Sequence, residues 1–458
     1  MLKSDFFEVL GTSACKNTTM LKNKYNSLFC VVLMLPLAAL GQETGEESWN
    51  AKFQTTYIWQ SKSPLSAAYS GPNSLSAEEE RSYTFTTTAH LGFRPWQDGE
   101  IYFDPEVTQG VPFSNLAGLG GFTNGEVTRA SGTNPKIYRQ RLFLRQTWNR
   151  GGGREKVESD FNQLGGEVDK DRFVLTVGNF STLDVFDENA YAHDPRTQFM
   201  NWSNMTHAAF DYAADGRGFG WGFAGEWYQG DWVLRFGRMT PPKEPNMLPI
   251  DFRFFAHYGD QVEVEHAHEL GGQPGKVRLL AWRNRAILAR YRDAIEYGTA
   301  NNQTPDIFKV RSGEQTKYGV GVNVEQAISD NAGVFLRAMM ADGRTETLAF
   351  TEVDRSMAAG VSIKGAAWSR PRDTVGFALM RNELSKERRQ YLEAGGISFF
   401  IGDGALHYRP ETFLESYYSW NVWKSAWLTA DYQRIHSPAY NADRGPVQVG
   451  GLRLHLEY

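Results

Sequence analysis

Residues 138–148, Tyr-Arg-Gln-Arg-Leu-Phe-Leu-Arg-Gln-Thr-Trp, constrain the fold more than any other stretch of the chain. In an extended strand successive side chains point to opposite faces. With that period, Tyr138, Gln140, Leu142, Leu144, Gln146 and Trp148 share one face, and Arg139, Arg141, Phe143, Arg145 and Thr147 share the other. Three guanidinium groups on one face cannot close over a dry core, because an unpaired buried charge costs several kcal/mol even after relaxation. That face must be wet or paired with acids. The opposite face is aliphatic in its middle and aromatic at both ends, the order of a strand crossing a bilayer between two aromatic girdles. A soluble sandwich can carry the same alternation, so the rest of the chain has to decide.

Aromatic residues make up 14% of the 458 residues and there are 45 glycines, a balance that suits many strands better than helices. Mean hydropathy is −0.47. Beyond residue 41 no apolar run approaches the roughly 18 residues that a membrane helix needs. If the chain spans a membrane it therefore does so as a closed barrel, the other architecture that satisfies every backbone group in lipid. A net charge of −5 gives no reason to expect a nucleic-acid partner.

The N-terminal region reads as an export signal. From Met20 a short basic stretch, Met-Leu-Lys-Asn-Lys, leads to an apolar run over residues 28–40 and a small-x-small site at Ala39-Leu40-Gly41. Residues 1–41 are thus expected to be an extension and cleaved signal peptide, with Met20 as the start, and residues 42–458 the mature protein. Both cysteines, Cys15 and Cys30, precede the cleavage point. No disulfide, thiol nucleophile or thiolate metal site is expected downstream.

Alternating strands recur to the end of the chain, at 52–60, 83–93, 100–107, 172–180, 219–227, 232–238, 261–270, 277–284, 318–326, 334–341, 357–367, 375–382, 393–401, 412–421 and 426–435. With 138–148 and the last strand, they number about sixteen to eighteen, within the range of bacterial outer-membrane barrels. The final strand alternates Leu452, Leu454, Leu456 and Tyr458 with Arg453, His455 and Glu457. It is similar to the C-terminal signal of barrels handed to the outer-membrane insertion machinery. The expected fold is all-β: a transmembrane antiparallel barrel of about 16 strands.

Residues 179–205 are too long for a hairpin, rich in acids and aromatics, and interrupted by Asp194-Pro195. Connections of this length inside a compact fold are usually functional, and an aqueous lumen needs a constriction to be selective. The loop is expected to fold inward, so that Asp184, Asp187, Glu188, Asp194 and Arg196 meet Arg139, Arg141 and Arg145 while Phe186, Tyr191 and Trp202 offer flat apolar faces. Such a mixture suits neutral sugars, whose hydroxyls pair with fixed charges and whose C–H faces stack on rings. An arrangement with a nucleophile and its base is not recognisable. His266 and His268 lie on the face of Val262 and Val264, without a third ligand at a telling distance. No cofactor or metal is expected.

Six segments carry a resemblance to a known family: 69–75 (Tyr-Ser-Gly-Pro-Asn-Ser-Leu), 106–110 (Glu-Val-Thr-Gln-Gly), 118–125 (Gly-Leu-Gly-Gly-Phe-Thr-Asn-Gly), 141–147, 189–199 (Asn-Ala-Tyr-Ala-His-Asp-Pro-Arg-Thr-Gln-Phe) and 440–446 (Tyr-Asn-Ala-Asp-Arg-Gly-Pro). The chain resembles the carbohydrate-selective porins of OprB type over nearly all of residues 50–458. The resemblance implies a sixteen-stranded outer-membrane barrel passing sugars by facilitated diffusion through an arginine-rich, aromatic-flanked eyelet. Outer-membrane lipid and permeating sugars would be its partners, and a homo-oligomer stays open. An anion or acidic-solute channel is the nearest alternative, followed by a secreted soluble polysaccharide-binding β-protein.

Overall fold

The computed structural model describes residues 46–127 and 132–458. The expected leader, its start at Met20 and both cysteines lie outside the described residues. Among the described residues eighteen strands follow in chain order. The first nine are β1 (Trp49–Lys62), β2 (Glu80–Trp96), β3 (Gly99–Val111), β4 (Lys136–Asn149), β5 (Arg154–Val157), β6 (Gly166–Asp169), β7 (Arg172–Phe180), β8 (Gly220–Gln229) and β9 (Trp232–Met239). The remainder are β10 (Tyr258–Leu270), β11 (Gln273–Ile287), β12 (Glu314–Ser329), β13 (Ala332–Ala341), β14 (Arg355–Gly365), β15 (Arg370–Glu383), β16 (Glu411–Trp423), β17 (Ala426–His436) and β18 (Val447–Glu457).

Sixteen of these close into one antiparallel barrel in chain order, with β1 paired to both β2 and β18, while β5 and β6 form a separate hairpin. Closure leaves no barrel strand with an unpaired edge, which is what lipid requires. The outward residues are apolar and exposed along every side, among them Phe103, Val177, Leu234, Val262, Leu279, Val320, Leu379 and Leu452. Trp49, Trp96, Trp148, Trp227, Trp232, Trp420 and Trp423 ring one end. An apolar band ending in an aromatic girdle matches a membrane-spanning surface.

Tight connections gather at that same end, as between Leu270 and Gln273, where Gly271 and Gly272 both take the left-handed conformation that a two-residue hairpin turn demands. Both ends of the barrel chain, Trp49 and Glu457, are there too. The opposite end carries the long loops, at 112–127, 181–219, 240–257, 288–313 and 384–410. Short periplasmic turns and long outer loops are the outer-membrane pattern. The apolar core sits among these loops rather than between sheets: Phe122, Trp202, Phe210, Tyr212, Phe350, Tyr391, Phe400 and Tyr440 form one buried cluster.

Two sequence expectations need correcting here. Residues 393–401 are not a strand: a helix, Lys386–Glu393, ends at Gly395-Gly396, and Phe400 and Ile401 then bury themselves in the loop cluster. An apolar run inside packed loops carries the same composition as a strand. The second correction concerns β4. Between the pairs Asp104–Arg141 and Pro105–Arg139 the register shifts by one residue, so Gln140 and Arg141 both point inward. Below this bulge the faces exchange. Tyr138 and Gln140 donate inward to Glu106. Arg139 stands on the outer face with its guanidinium over Trp221 at 4.9 Å. Period-2 reading assigned Arg139 to the lumen because a bulge inserts one residue and inverts every facing beyond it.

Candidate functional site

The barrel interior is divided by the 181–219 loop, and the anchors of that loop decide where open space remains. Asp187 meets Arg337 of β13 at 3.1 Å, and its backbone N–H donates to Glu263 of β10 at 2.9 Å. Asn189 donates to Asn323 at 2.8 Å, and the Ala190 N–H donates to Glu325 at 2.8 Å, both on β12. Asn204 donates to Glu415 of β16, Asn201 to Gln433 of β17, and Arg453 of β18 donates to the carbonyls of Pro195 and Gln198. Strand Glu and Arg side chains thus satisfy loop backbone groups that burial would otherwise leave unpaired.

From there the loop crosses to the β2–β3 side. Arg196 donates to Glu126 at 2.8 Å and to Glu106 at 2.8 Å. Burial opposes its charge, but these two carboxylates outweigh it and hold the guanidinium more firmly protonated than usual. Two cavities result. One, of about 610 Å³, lies against β2–β4 and β7–β9. The other, of about 640 Å³, lies beneath residues 190–198 against β11–β18 and opens among the tight turns.

The first cavity brings together most of the charge. Arg141 clasps Asp184 through two bonds of 2.8 and 2.6 Å and lies over the Phe219 ring at 5.1 Å. Asp184 also caps the short helical turn that opens the loop, accepting from the Ser181 N–H at 2.9 Å. Burial would raise the Asp184 carboxyl, and Arg141 more than offsets this, holding it below the ordinary carboxylate range. Arg145 donates to the Asn162 carbonyl at 2.8 Å and sits over Tyr102 and Phe143. Arg235 joins Glu226, Glu263 and Glu265, and Arg172 lies 3.9 Å over Tyr228.

The eleven residues singled out in the sequence separate into groups. Arg141, Arg145, Asp184, Glu188, Asp194 and Arg196 line the first cavity. Tyr191 lies on the far side and lines the second. Trp202 is 4% exposed, stacked on Phe350 and edge-on to Phe122, so it holds the loop cluster and shows the cavity little more than its rim. Phe186 is fully buried in the apolar cluster and offers no face to either cavity, Asp187 is fully buried in its anchor, and Arg139 is outside the barrel.

Sequence reading missed Asp104, Glu106 and Glu126, whose importance lies in their arginine partners. It also missed the β5–β6 hairpin, whose tip lines the first cavity through Phe161, Asn162 and Leu164. The interval 149–171 is too long for a tight turn, the same signal that marked 179–205.

A closed sixteen-stranded barrel, apolar outside, polar and loop-narrowed inside, is an outer-membrane porin. The chain belongs to the OprB family of carbohydrate-selective porins, whose model matches residues 81–458. The protein is a bacterial outer-membrane porin for carbohydrates, a channel and not an enzyme. Its fold is similar to that of Pseudomonas putida OprB in a high-pH structure, with a TM-score of 0.67 and 15% identity over 90% of this chain and 94% of that one. The channel DcaP of Acinetobacter baumannii aligns at a TM-score of 0.49 and 11% identity, over 92% of this chain and all of that one. No curated protein sequence matches the chain.

Proposed function

We propose that sugars cross through the 610 Å³ cavity, between the arginine wall of β4, β7 and β9 and the loop residues Asp184, Glu188, Asp194 and Arg196. The observation that carries this reading is the Arg141–Asp184 clasp beside Phe219. It sets a donor fork, an acceptor carboxylate and an aromatic face at one narrow point, the three groups that a sugar ring engages. Each contact is individually weak, as passage requires.

Charge balance favours neutral solutes over the anion-channel reading. Arg141 faces Asp184 and Asp104, Arg196 faces Glu106 and Glu126, and Arg235 faces three glutamates. A wall whose cations are already matched offers hydrogen bonds without a strong field for anions. In planar bilayers, ion current should fall as glucose or a maltooligosaccharide is added. A reversal potential with strong anion preference and no sugar block would favour the acidic-solute channel instead.

The outer face is suited to lipid, and the β18 alternation of Leu452 and Leu454 outside with Arg453 and His455 inside suits recognition by the insertion machinery. Deletion of residues 452–458 should abolish heat-modifiable barrel assembly. Export by a signal peptide cleaved near Gly41 completes the reading, and N-terminal sequencing of the mature protein tests it.

A further inference from the structure

The 150–171 segment enters the barrel from the tight-turn end, opposite to the 181–219 loop. Its strands pair from Arg154–Asp169 to Val157–Gly166, leaving residues 158–165 as the tip. The tip is fastened along one side of the mouth. Asn50 donates to the Gln163 carbonyl at 3.1 Å, Lys52 to the Ser159 carbonyl at 3.1 Å, and the Gly165 N–H to Glu47 at 2.8 Å. Leu164 is 2% exposed, and its N–H donates to the Tyr102 hydroxyl at 3.0 Å. Gly92 makes room for this docking, since a Cβ there would stand 2.9 Å from the Tyr102 ring and 3.2 Å from a Leu164 methyl.

The other side of the tip faces the pathway. The Asn162 carbonyl accepts from Arg145, and the Asn162 amide donates to Asp104 at 2.9 Å, the carboxylate that also neighbours Arg141. Phe161 lies against His90 with ring centres 4.6 Å apart, and both rings line the cavity that holds Arg141 and Asp184. The hairpin therefore occupies one of the two cavity-lining arginines of β4 and sets an aromatic ring beside them. Other connections at this end, such as 230–231 and 271–272, are two residues long and do not line this cavity.

We propose that the tip of the β5–β6 hairpin is the periplasmic half of the constriction, with Phe161 a sugar-stacking residue and the Asn162 carbonyl the group that a sugar hydroxyl must replace on Arg145. The inference rests on the sugar-pathway reading above. A sugar leaving the Arg141–Asp184 clasp meets Phe161 next, which divides passage into two weak steps rather than one tight one.

The test is single-channel recording of the intact protein in planar bilayers, with and without maltose, on two variants. Phe161→Ala keeps the backbone contacts of the tip. It should raise the maltose concentration for half-block about three- to tenfold, the range of one aromatic contact, with open conductance close to wild type. Replacing residues 158–165 by an Asn-Gly turn, which fits the Val157–Gly166 register, should raise open conductance about twofold or more, since the tip no longer narrows the lumen. Heat-modifiable mobility on a gel confirms folding of each. Wild-type conductance and wild-type block in both variants would overturn the proposal. If the wild-type channel ignores maltose, the sugar pathway and the role of Phe161 fall together. A conductance gain in the shortened variant would then still uphold the tip as a constriction, and its absence would remove that too.

Discussion

Asp184 holds the guanidinium of Arg141 through two bonds of 2.8 and 2.6 Å, joining the first turn of the inward loop to the wall strand β4. The pair is only partly shielded, with side-chain exposures of 16% for Arg141 and 23% for Asp184. The contact positions the loop, lines the 610 Å³ cavity and is open enough to exchange hydrogen bonds with a solute on the proposed pathway.

Breaking the clasp should widen the pore and weaken sugar block. Arg141→Ala and Asp184→Ala are each expected to raise open conductance and to shift half-block upward by about tenfold. The double variant should lose less than the sum, with a coupling of about 1 kcal/mol in a double-mutant cycle on block. Additive effects would mean that the two residues act on solutes independently.

The loop depends on its far anchor in a different way. Asp187 and Arg337 are both fully buried, and Arg337 also donates to loop carbonyls of Asp187 and Asn204. Removing one partner strands a buried charge, at about 3–5 kcal/mol. Asp187→Ala should therefore free the loop, giving noisy channels and protease cleavage within 187–205, while the barrel still shows heat-modifiable mobility. A quiet, resistant channel would assign the anchoring to other contacts.

Acid should loosen the same anchor. His207 is buried beside Asp187, 3.4 Å away, and its ring nitrogens lack hydrogen-bond partners. Burial, helped by the Arg337 charge and opposed by Asp187, lowers it to about 4. The free loop takes up a proton near pH 6.5 and the seated loop only near 4. The seated state is thus fully favoured above pH 6.5 and loses stability as pH falls from there towards 4, by up to about 3 kcal/mol. Hydrogen exchange of residues 187–207 should speed up across that window, and His207→Phe should flatten the dependence.

Placing the passage against β2–β9 predicts that the opposite cavity is silent. Ser362→Trp would fill space beneath Tyr191 and should leave conductance and half-block unchanged. A blocked channel would move the pathway across the loop.

Arg139 supplies a matching control on β4 itself. Because its guanidinium lies over Trp221 on the outer face, Arg139→Ala should leave maltose block unaltered where Arg141→Ala does not. An equal loss in both would restore the unbroken alternation.

How much of this was legible without coordinates follows from the range of the forces involved. Alternation is a property of the local backbone, so the barrel, its apolar exterior and its polar lumen could be read from segments such as Tyr318 to Glu325 and from β18. The length and charge of 179–205 likewise announced an inward loop. Its acids did not reveal their separate destinations. Asp184 and Asp187 are three residues apart, yet one lines the 610 Å³ cavity and the other is sealed against Arg337, 150 residues along the chain. That division depends on which strand presents a cation at which height, and only barrel closure fixes it. The same holds for the bulge at Gln140–Arg141, where one inserted residue turned Arg139 out to the membrane side, and for the hairpin that brings Asn162 to Arg145. Sequence determined the wall and its two faces by a period of two residues. Tertiary structure decided which charges meet, because residues far apart in the chain had to find one another inside a closed cylinder.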